Sequence, residues 1–198
     1  MNTRIPSVLA LLTLVTAFSL ALISCAKQTP VPAAMTDAEK IERGRYLAVV
    51  AGCNDCHTPG YLYGVPDTTR LLSGSELGWK GPWGVSYARN LTPDPQTGIG
   101  AWSETDIVTA IRTGKRPDGR TLMPPMPWPD FASLTDDDAM SIAKYLKSIP
   151  PVPHKMPDIL GPDATPTGSI IAFPPPSAWD APRAPGMGAP TDTTAAKR

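Results

Sequence analysis

GCNDCH, at residues 52–57, is the stretch of sequence on which the interpretation of the whole chain depends. Two residues separate Cys53 from Cys56, and His57 follows the second thiol directly. A CxxC pair alone is compatible with a redox-active dithiol, with a zinc site, or with attachment of a prosthetic group. The sequence around the motif has to distinguish between these three chemistries.

The context of the motif favours covalent attachment of haem. A redox-active dithiol usually lies in a βαβ unit, whereas here a predicted helix precedes the pair and loops follow it. Structural zinc usually takes four regularly spaced ligands, and beyond the motif the chain offers only the distant His154. In a CxxCH motif each sulfur forms a thioether with haem, and the histidine supplies one axial nitrogen. The sequence therefore predicts one haem c, held by Cys53, Cys56 and His57, since no internal repeat is visible.

The second axial ligand has several candidates downstream of the motif. Methionine and histidine are the usual partners of an electron-transfer haem. Met123 and Met126 lie in the Pro-rich loop LMPPMPWP, residues 122–129, and their spacing barely separates them. His154 is a further candidate. Met140 fits the apolar face of a predicted helix, and the other methionines fall in predicted linker or tail: Met35, Met156 and Met187.

Residues 1–24 predict an export signal. Arg4 precedes an almost entirely apolar run over residues 8–23, and small residues follow it. The segment LISC, residues 22–25, resembles the bacterial lipoprotein cleavage motif, which implies cleavage before Cys25 and lipid on its sulfur. A conventional signal peptide and an uncleaved anchor helix are the alternatives. All three predict an exported protein, and lipidation would attach it to the periplasmic side of a bacterial membrane.

The rest of the chain predicts a linker, one helical domain and a tail. The linker covers residues 25–35, the domain 36–152, and a Pro-rich tail, expected to be extended or disordered, 153–198. Three helices with side-chain capping signals at their starts are predicted, over 36–51, 103–114 and 135–149. Residues 58–101 predict loops. The 18 basic residues balance 18 acidic ones, so no overall charge favours nucleic acid as a partner.

Beyond the haem motif, the chain resembles a class I cytochrome c over residues 36–152. It is similar in particular to the cytochrome domains of bacterial membrane-bound alcohol and aldehyde dehydrogenase subunits. The matching stretches are residues 43–47, 53–57, 90–94, 97–102, 124–128 and 134–146.

This resemblance implies an all-α, cytochrome c-like domain packed around one covalently bound haem. It implies that the first and last helices cross near Gly44 and Tyr145, and that residues 90–102 line the haem edge. The ligand methionine of the family is followed by proline and an aromatic residue, which selects Met126 over Met123. Those dehydrogenase subunits commonly hold several haem domains, whereas one is predicted here. The partner proteins of those subunits are therefore not assigned to this chain.

The predicted function is transfer of single electrons, and not catalysis, because axial ligation by His57 and Met126 leaves no open position for a substrate. The expected partner is a redox protein such as a dehydrogenase or a terminal oxidase. A haem enzyme or gas sensor with a weak or vacant sixth ligand is the alternative, and a structural lipoprotein domain is a third hypothesis. The methionine loop is preceded by a basic cluster made of Arg112, Lys115, Arg116 and Arg120. This cluster would either guide an acidic partner protein or form a solvated turn.

Overall fold

The computed structural model describes residues 34–178 of the 198-residue chain. The helices in this part are α1 (Asp37–Val50), α2 (Cys53–His57), α3 (Glu104–Thr113), α4 (Trp128–Phe131) and α5 (Asp136–Ser148). The strands are β1 (Gly78–Gly81), β2 (Gly84–Tyr87) and β3 (Ile170–Ala172), and short 3₁₀ turns occupy Tyr61–Tyr63 and Pro176–Ala178. The three helices predicted from the sequence are confirmed as α1, α3 and α5.

The helix starts show why the sequence predicted them well. Thr36 and Glu39 form a reciprocal capping box at the start of α1, and Ser103 and Asp106 form another at the start of α3. Thr135 caps α5 through the backbone N–H of Asp138. The Asp138 carboxylate accepts instead from Arg43 Nε at 2.8 Å, so it joins α5 to α1.

Helices α1 and α5 cross in close contact at Gly44. A Cβ on Gly44 would collide with the carbonyl oxygen of Ser141 and would lie 2.8 Å from the Cβ of Tyr145. Ala48, on the same face of α1, is also buried. Glycine costs a helix stability relative to alanine, and here the close approach of the two backbones explains its presence. The predicted crossing of the first and last helices is confirmed.

The apolar core lies between these helices and the motif. Its buried residues come from α3, α5 and two loops: Leu72, Ile99, Ile107, Ile142, Ala143 and Leu146. Cys53 and Trp102 are partly buried and pack against this cluster. Helix α2, which carries the CxxCH motif, packs against α1. The motif is therefore attached to the best-packed part of the domain.

A three-stranded sheet of order β2-β1-β3 accompanies the helices. Strands β1 and β2 form an antiparallel hairpin, and β3 pairs with β1 in parallel, with Gly78 opposite Ile170. The sheet differs from the all-α domain with loops over 58–101 that the sequence predicts. The strands are only three or four residues long, and β3 lies far from β1 along the chain, so no local pattern indicates the pairing.

The segment predicted as an extended or disordered tail packs against the domain as far as the structure describes it. Residues 152–173, here called the C-terminal strap, include the buried Met156, which is 4% exposed. Val85 and Leu160 exchange two backbone hydrogen bonds of 2.9 and 3.0 Å, and Phe173 N donates to Lys80 O at 2.8 Å. Proline lacks an N–H but keeps its carbonyl, so a Pro-rich segment still binds donors elsewhere in the domain. Of the two predicted alternatives, extended or disordered, the strap corresponds to the extended one, and its contacts hold it against the domain.

Several predictions concern residues outside the described part of the chain. These are the export signal over 1–24, Cys25, Met187 and the last 20 or so residues. Within residues 34–178 no helix is both long enough and apolar enough to span a bilayer.

Candidate functional site

A left-handed turn places the CxxCH motif at the end of α1. Gly52 joins α1 to α2 with φ of 69°, a conformation that favours glycine. Its carbonyl accepts from Asp55 N at 3.0 Å, which starts the single turn of α2. Cys53 and Cys56 are both partly buried and are not joined in a disulfide. The short helix therefore carries two free thiols, and His57 is its last residue.

Both thiols are kept protonated by their surroundings. Burial raises the pKa of Cys53 to about 11, with smaller contributions from Asp55 and Cys56. Burial, followed by the charge of Asp55, also raises the pKa of Cys56. Redox-active cysteines have a lowered pKa, so the raised pKa of both thiols disfavours a redox-active dithiol. Across residues 34–178 no three His, Cys, Asp or Glu side chains are arranged to hold a metal ion by themselves.

The His57 ring is oriented by a main-chain carbonyl. Its Nδ1 lies 2.6 Å from Arg89 O, and since a carbonyl can only accept, Nδ1 carries the proton. Desolvation by burial lowers the pKa of His57, although the bond to Arg89 acts in the opposite direction. A neutral imidazole with Nδ1–H held in this way presents the lone pair of Nε2, which is the arrangement of a metal-ligating histidine.

Further hydrogen bonds fix the backbone around His57. Gly74 N donates to His57 O at 2.8 Å. The Thr58 hydroxyl donates to Asn54 Oδ1 at 2.9 Å and accepts from Leu72 N at the same distance. Thr58 is almost fully buried, as is Leu72. The motif is thus bound to the loop over residues 72–74 by main-chain and side-chain bonds.

The methionine loop is anchored between α3 and the hairpin. Leu122 N donates to Gly114 O at 2.8 Å, and the Trp128 ring packs so closely on Gly114 that a side chain there would not fit. The Ser86 hydroxyl, on β2, donates to the carbonyl of Pro124. Met123 and Met126 are both partly buried in this loop.

The two segments that carry candidate axial ligands meet one short piece of chain. Ser86 holds the methionine loop, and Arg89, three residues further on, holds His57. Three residues of extended chain span about 10 Å. Strand β2 and the residues just after it therefore bring the His57 segment and the Met126 segment into the same region of the domain.

His154 is engaged elsewhere by both of its ring nitrogens. Nδ1 lies 3.0 Å from Ser73 O, and Nε2 lies 2.7 Å from Glu76 Oε1 and 3.2 Å from Arg70 Nη1. An axial ligand needs a ring nitrogen free of other partners. This polar network disfavours His154 as a ligand and gives it a structural contact in the strap.

Each side chain of the basic cluster before the methionine loop has a local partner, and two carboxylates offset part of its charge. Arg112 pairs with Asp136, Arg116 and Arg120 pair with Asp118, and Lys115 Nζ donates to Thr121 Oγ1 at 2.9 Å. The Arg116 guanidinium also lies 5.6 Å from the centre of the Trp102 ring. These contacts favour a solvated turn over a free basic surface.

Sequence reasoning missed Arg89 and the full role of Asn90. Arg89 is an ordinary surface residue by type, and only the structure shows its carbonyl against His57. Asn90 was placed in a stretch matched by the resemblance, but its buried amide binds Thr97 Oγ1 at 3.0 Å and Val152 O at 2.7 Å. An Asn followed closely by Thr and Asp is the one local signal, since such residues often fold a loop around their own backbone.

Comparison with known proteins places the chain beside dehydrogenase cytochrome subunits. It is 41% identical over 129 residues to the cytochrome c subunit of the quinone alcohol dehydrogenase of Gluconobacter oxydans strain 621H, covering 64% of this chain and 25% of that protein. It is 37% identical over 149 residues to the corresponding subunit of Gluconacetobacter polyoxogenes, covering 74% and 29%. It is 36% identical over 112 residues to the fructose dehydrogenase cytochrome subunit of Gluconobacter japonicus, covering 54% and 22%. No family model matches the chain.

These similarities confirm the predicted resemblance to the cytochrome c domains of dehydrogenase subunits. The chain spans about a quarter of the length of the relatives it matches. These three relatives are named as cytochrome subunits of dehydrogenases, which are electron carriers.

Proposed function

We propose that this chain, which resembles the cytochrome c subunits of quinone-dependent dehydrogenases, is a single-haem c-type cytochrome that carries electrons outside the cytoplasm. It would act as the electron-accepting subunit of a dehydrogenase or as a shuttle between a dehydrogenase and a further redox protein such as a terminal oxidase. The observation that carries the proposal is the geometry of α2, in which two free, protonated thiols precede a histidine whose Nδ1 proton is held by Arg89 O.

The residues of the site fit a covalently attached haem. Cys53 and Cys56 would hold it through thioethers, which form when an S–H group adds across a vinyl double bond and therefore need no oxidant. A thiol is mostly protonated at neutral pH, and burial, which raises the pKa of both cysteines, favours the S–H form further. His57 Nε2 would be one axial ligand and Met126 the other. When bound, the haem supplies an iron that accepts and releases one electron.

The chain's own residues would hold both axial positions and limit rearrangement. Arg89 O orients the His57 ring, and Ser86 and Gly114 hold the loop that carries Met126. If His57 and Met126 both bind the iron, no position would remain open for a substrate, which supports a carrier over a haem enzyme. A class I cytochrome fold around the haem is part of this proposal, and the α1–α5 crossing at Gly44 supports it.

The location is the second part of the proposal. The predicted signal over residues 1–24 would export the chain, and lipid on Cys25 would hold it at the periplasmic face of a bacterial membrane. Two or more acyl chains anchor a protein far better than one. Cys25→Ala is expected to abolish acyl labelling and to release the cytochrome or leave an uncleaved precursor. An unlabelled wild-type protein in the soluble fraction would contradict lipidation.

Retention of haem tests the proposed function directly. The exported wild-type protein is expected to keep its haem after acid–acetone extraction, because thioether bonds survive where coordination alone does not. The double variant Cys53→Ala, Cys56→Ala is expected to lose haem or to release all of it. Complete extraction of haem from the wild-type protein would refute the assignment, whatever its spectrum.

The identity of the sixth ligand distinguishes the carrier from its alternative. Met126→Ala is expected to remove the sulfur-to-iron charge-transfer band of the oxidised protein and to lower the reduction potential. Met123→Ala, a matched change in the same loop, is expected to leave both nearly unchanged. The reverse result would assign the role to Met123. A wild-type protein without the band would favour a haem enzyme or gas sensor with an open or weak sixth site.

A further inference from the structure

The two hydrogen bonds that orient His57 both come from residues in contact with the C-terminal strap. Arg89 O accepts from the His57 ring, and the Arg89 guanidinium donates to Pro157 O at 2.9 Å. Gly74 N donates to His57 O, and the buried Met156 sulfur packs directly against Gly74. The strap therefore contacts both residues that hold His57: Arg89, which binds its ring, and Gly74, which binds its backbone carbonyl.

The neighbours of Arg89 along the chain are bound to the strap as well. Asn90 Nδ2 donates to Val152 O at 2.7 Å, and Val152 N donates to Thr92 Oγ1 at 3.0 Å. His154 N donates to Thr97 Oγ1 at 3.0 Å. Asn90 and Thr92 are fully buried, so these bonds are shielded from water and costly to break.

The composition of the strap suits this role. Its prolines offer carbonyls and no N–H groups, so the strap accepts hydrogen bonds from side chains that reach out from the domain. Arg89 presents several N–H groups to such acceptors in a rigid plane, which lysine and glutamine do not match. The position of the Arg89 carbonyl thus depends on where its own side chain is held.

We propose that Arg89 is a positioning residue, and that the C-terminal strap, by holding the Arg89 guanidinium, fixes the carbonyl that accepts the Nδ1 proton of His57. This inference rests on the proposed function, since it concerns the orientation of an axial ligand. A carbonyl held at 2.6 Å from Nδ1 keeps the ring in one orientation and makes it a stronger donor to iron. Loss of the contact between the strap and the Arg89 guanidinium would free the Arg89 carbonyl to move and would loosen the His57 ring.

The test is the exchange of the His57 Nδ1 proton with deuterium, followed by NMR in the reduced holoprotein. Arg89→Gln is expected to accelerate this exchange about tenfold, the factor given by loss of one moderate hydrogen bond, while amide protons of α5 keep their wild-type rates. The control is Arg120→Gln, which removes the same charge from an exposed side chain paired with Asp118. It is expected to leave the His57 proton unchanged.

Two further arms keep the inference open to refutation. If Arg89→Gln fails to fold, His154→Gln loosens the strap at its contacts with Ser73 and Glu76 and is expected to give a smaller selective acceleration. Equal acceleration at His57 and in α5, or none at His57, would overturn the inference. Haem retention after acid–acetone extraction is measured first on each protein, so failure of haem attachment in the wild type would refute the proposed function separately.

Discussion

The α1–α5 crossing and the C-terminal strap are held to the domain by different forces. At the crossing, small residues allow two helix backbones to pack closely, and Gly44 lies against Ser141 and Tyr145. Along the strap, buried polar side chains such as Asn90 and Thr92 bind main-chain atoms. The first region is therefore sensitive to added volume, and the second to loss of a hydrogen-bonding group.

The largest expected effect is at the crossing. Gly44→Ala places a Cβ against the Ser141 carbonyl, which belongs to the backbone of α5 and has little room to move. We expect a loss of about 3 kcal/mol in the free energy of unfolding, measured by urea denaturation of the holoprotein. Gly161→Ala is the matched control, because nothing lies within 4 Å of a Cβ there, and it is expected to change little. Equal stability of the two variants would show that the helices separate easily.

The next effect is at the strap. Asn90→Ala removes the acceptor of the buried Thr92 N, and it leaves Val152 O with only the 3.3 Å bond from Thr92 Oγ1. The expected cost is about 2 kcal/mol. Hydrogen exchange should locate the damage in the strap and in β3, with α5 nearly unaffected, whereas Gly44→Ala should accelerate exchange in α1 and α5. If both variants loosen the same amides, the two regions are one cooperative unit.

The same contrast explains what the sequence alone allowed us to predict. Helix starts are encoded within four residues, so Thr36 with Glu39 and Ser103 with Asp106 could be recognised locally. The CxxCH motif is equally local. The strap and the sheet depend on partners far along the chain, such as Val85 with Leu160, and a proline-rich composition gives no indication of them. The helix crossing at Gly44 was predicted from the resemblance to class I cytochromes c, and not from a local signal.

A smaller effect tests the local signals themselves. Ser103→Ala removes the side-chain acceptor of Asp106 N and should cost about 1 kcal/mol of unfolding free energy. Ser103→Thr, which retains the hydroxyl that accepts from Asp106 N and donates to Asp106 Oδ2, should stay close to wild type. Both are measured by thermal unfolding. A cost for Ser103→Ala as large as that of Asn90→Ala would mean that the start of α3 is coupled to the strap and not a local feature.

The smallest effect concerns an acidic group at the edge of the strap. Asp67 accepts from Thr69 Oγ1 at 2.6 Å and from Arg70 Nε at 2.7 Å, and Arg70 in turn contacts His154. The Thr69 and Arg70 bonds lower the pKa of Asp67 from 3.8 to about 2. A carboxylate whose pKa is lowered by folding stabilises the protein above its ordinary pKa, and this stabilisation is lost as pH falls through the folded value. Asp67→Asn should therefore be less stable than wild type at neutral pH, and the two urea midpoints should converge as pH falls from about 4 to about 2.

Asp118 provides the matched comparison on the other side of the domain. Arg120 holds it, and its pKa is also lowered to about 2, but it lies in the turn before the methionine loop. Asp118→Asn should show the same convergence, since the physical cause is the same. Only Asp67→Asn should also accelerate hydrogen exchange in the strap, because only Asp67 supports the arginine that contacts His154. Changes common to the acidified haem site affect both variants and cancel in their difference. If both variants accelerate exchange in the strap, acid loosens the strap through the domain as a whole. The α1–α5 crossing and the strap would then not respond independently under acid conditions.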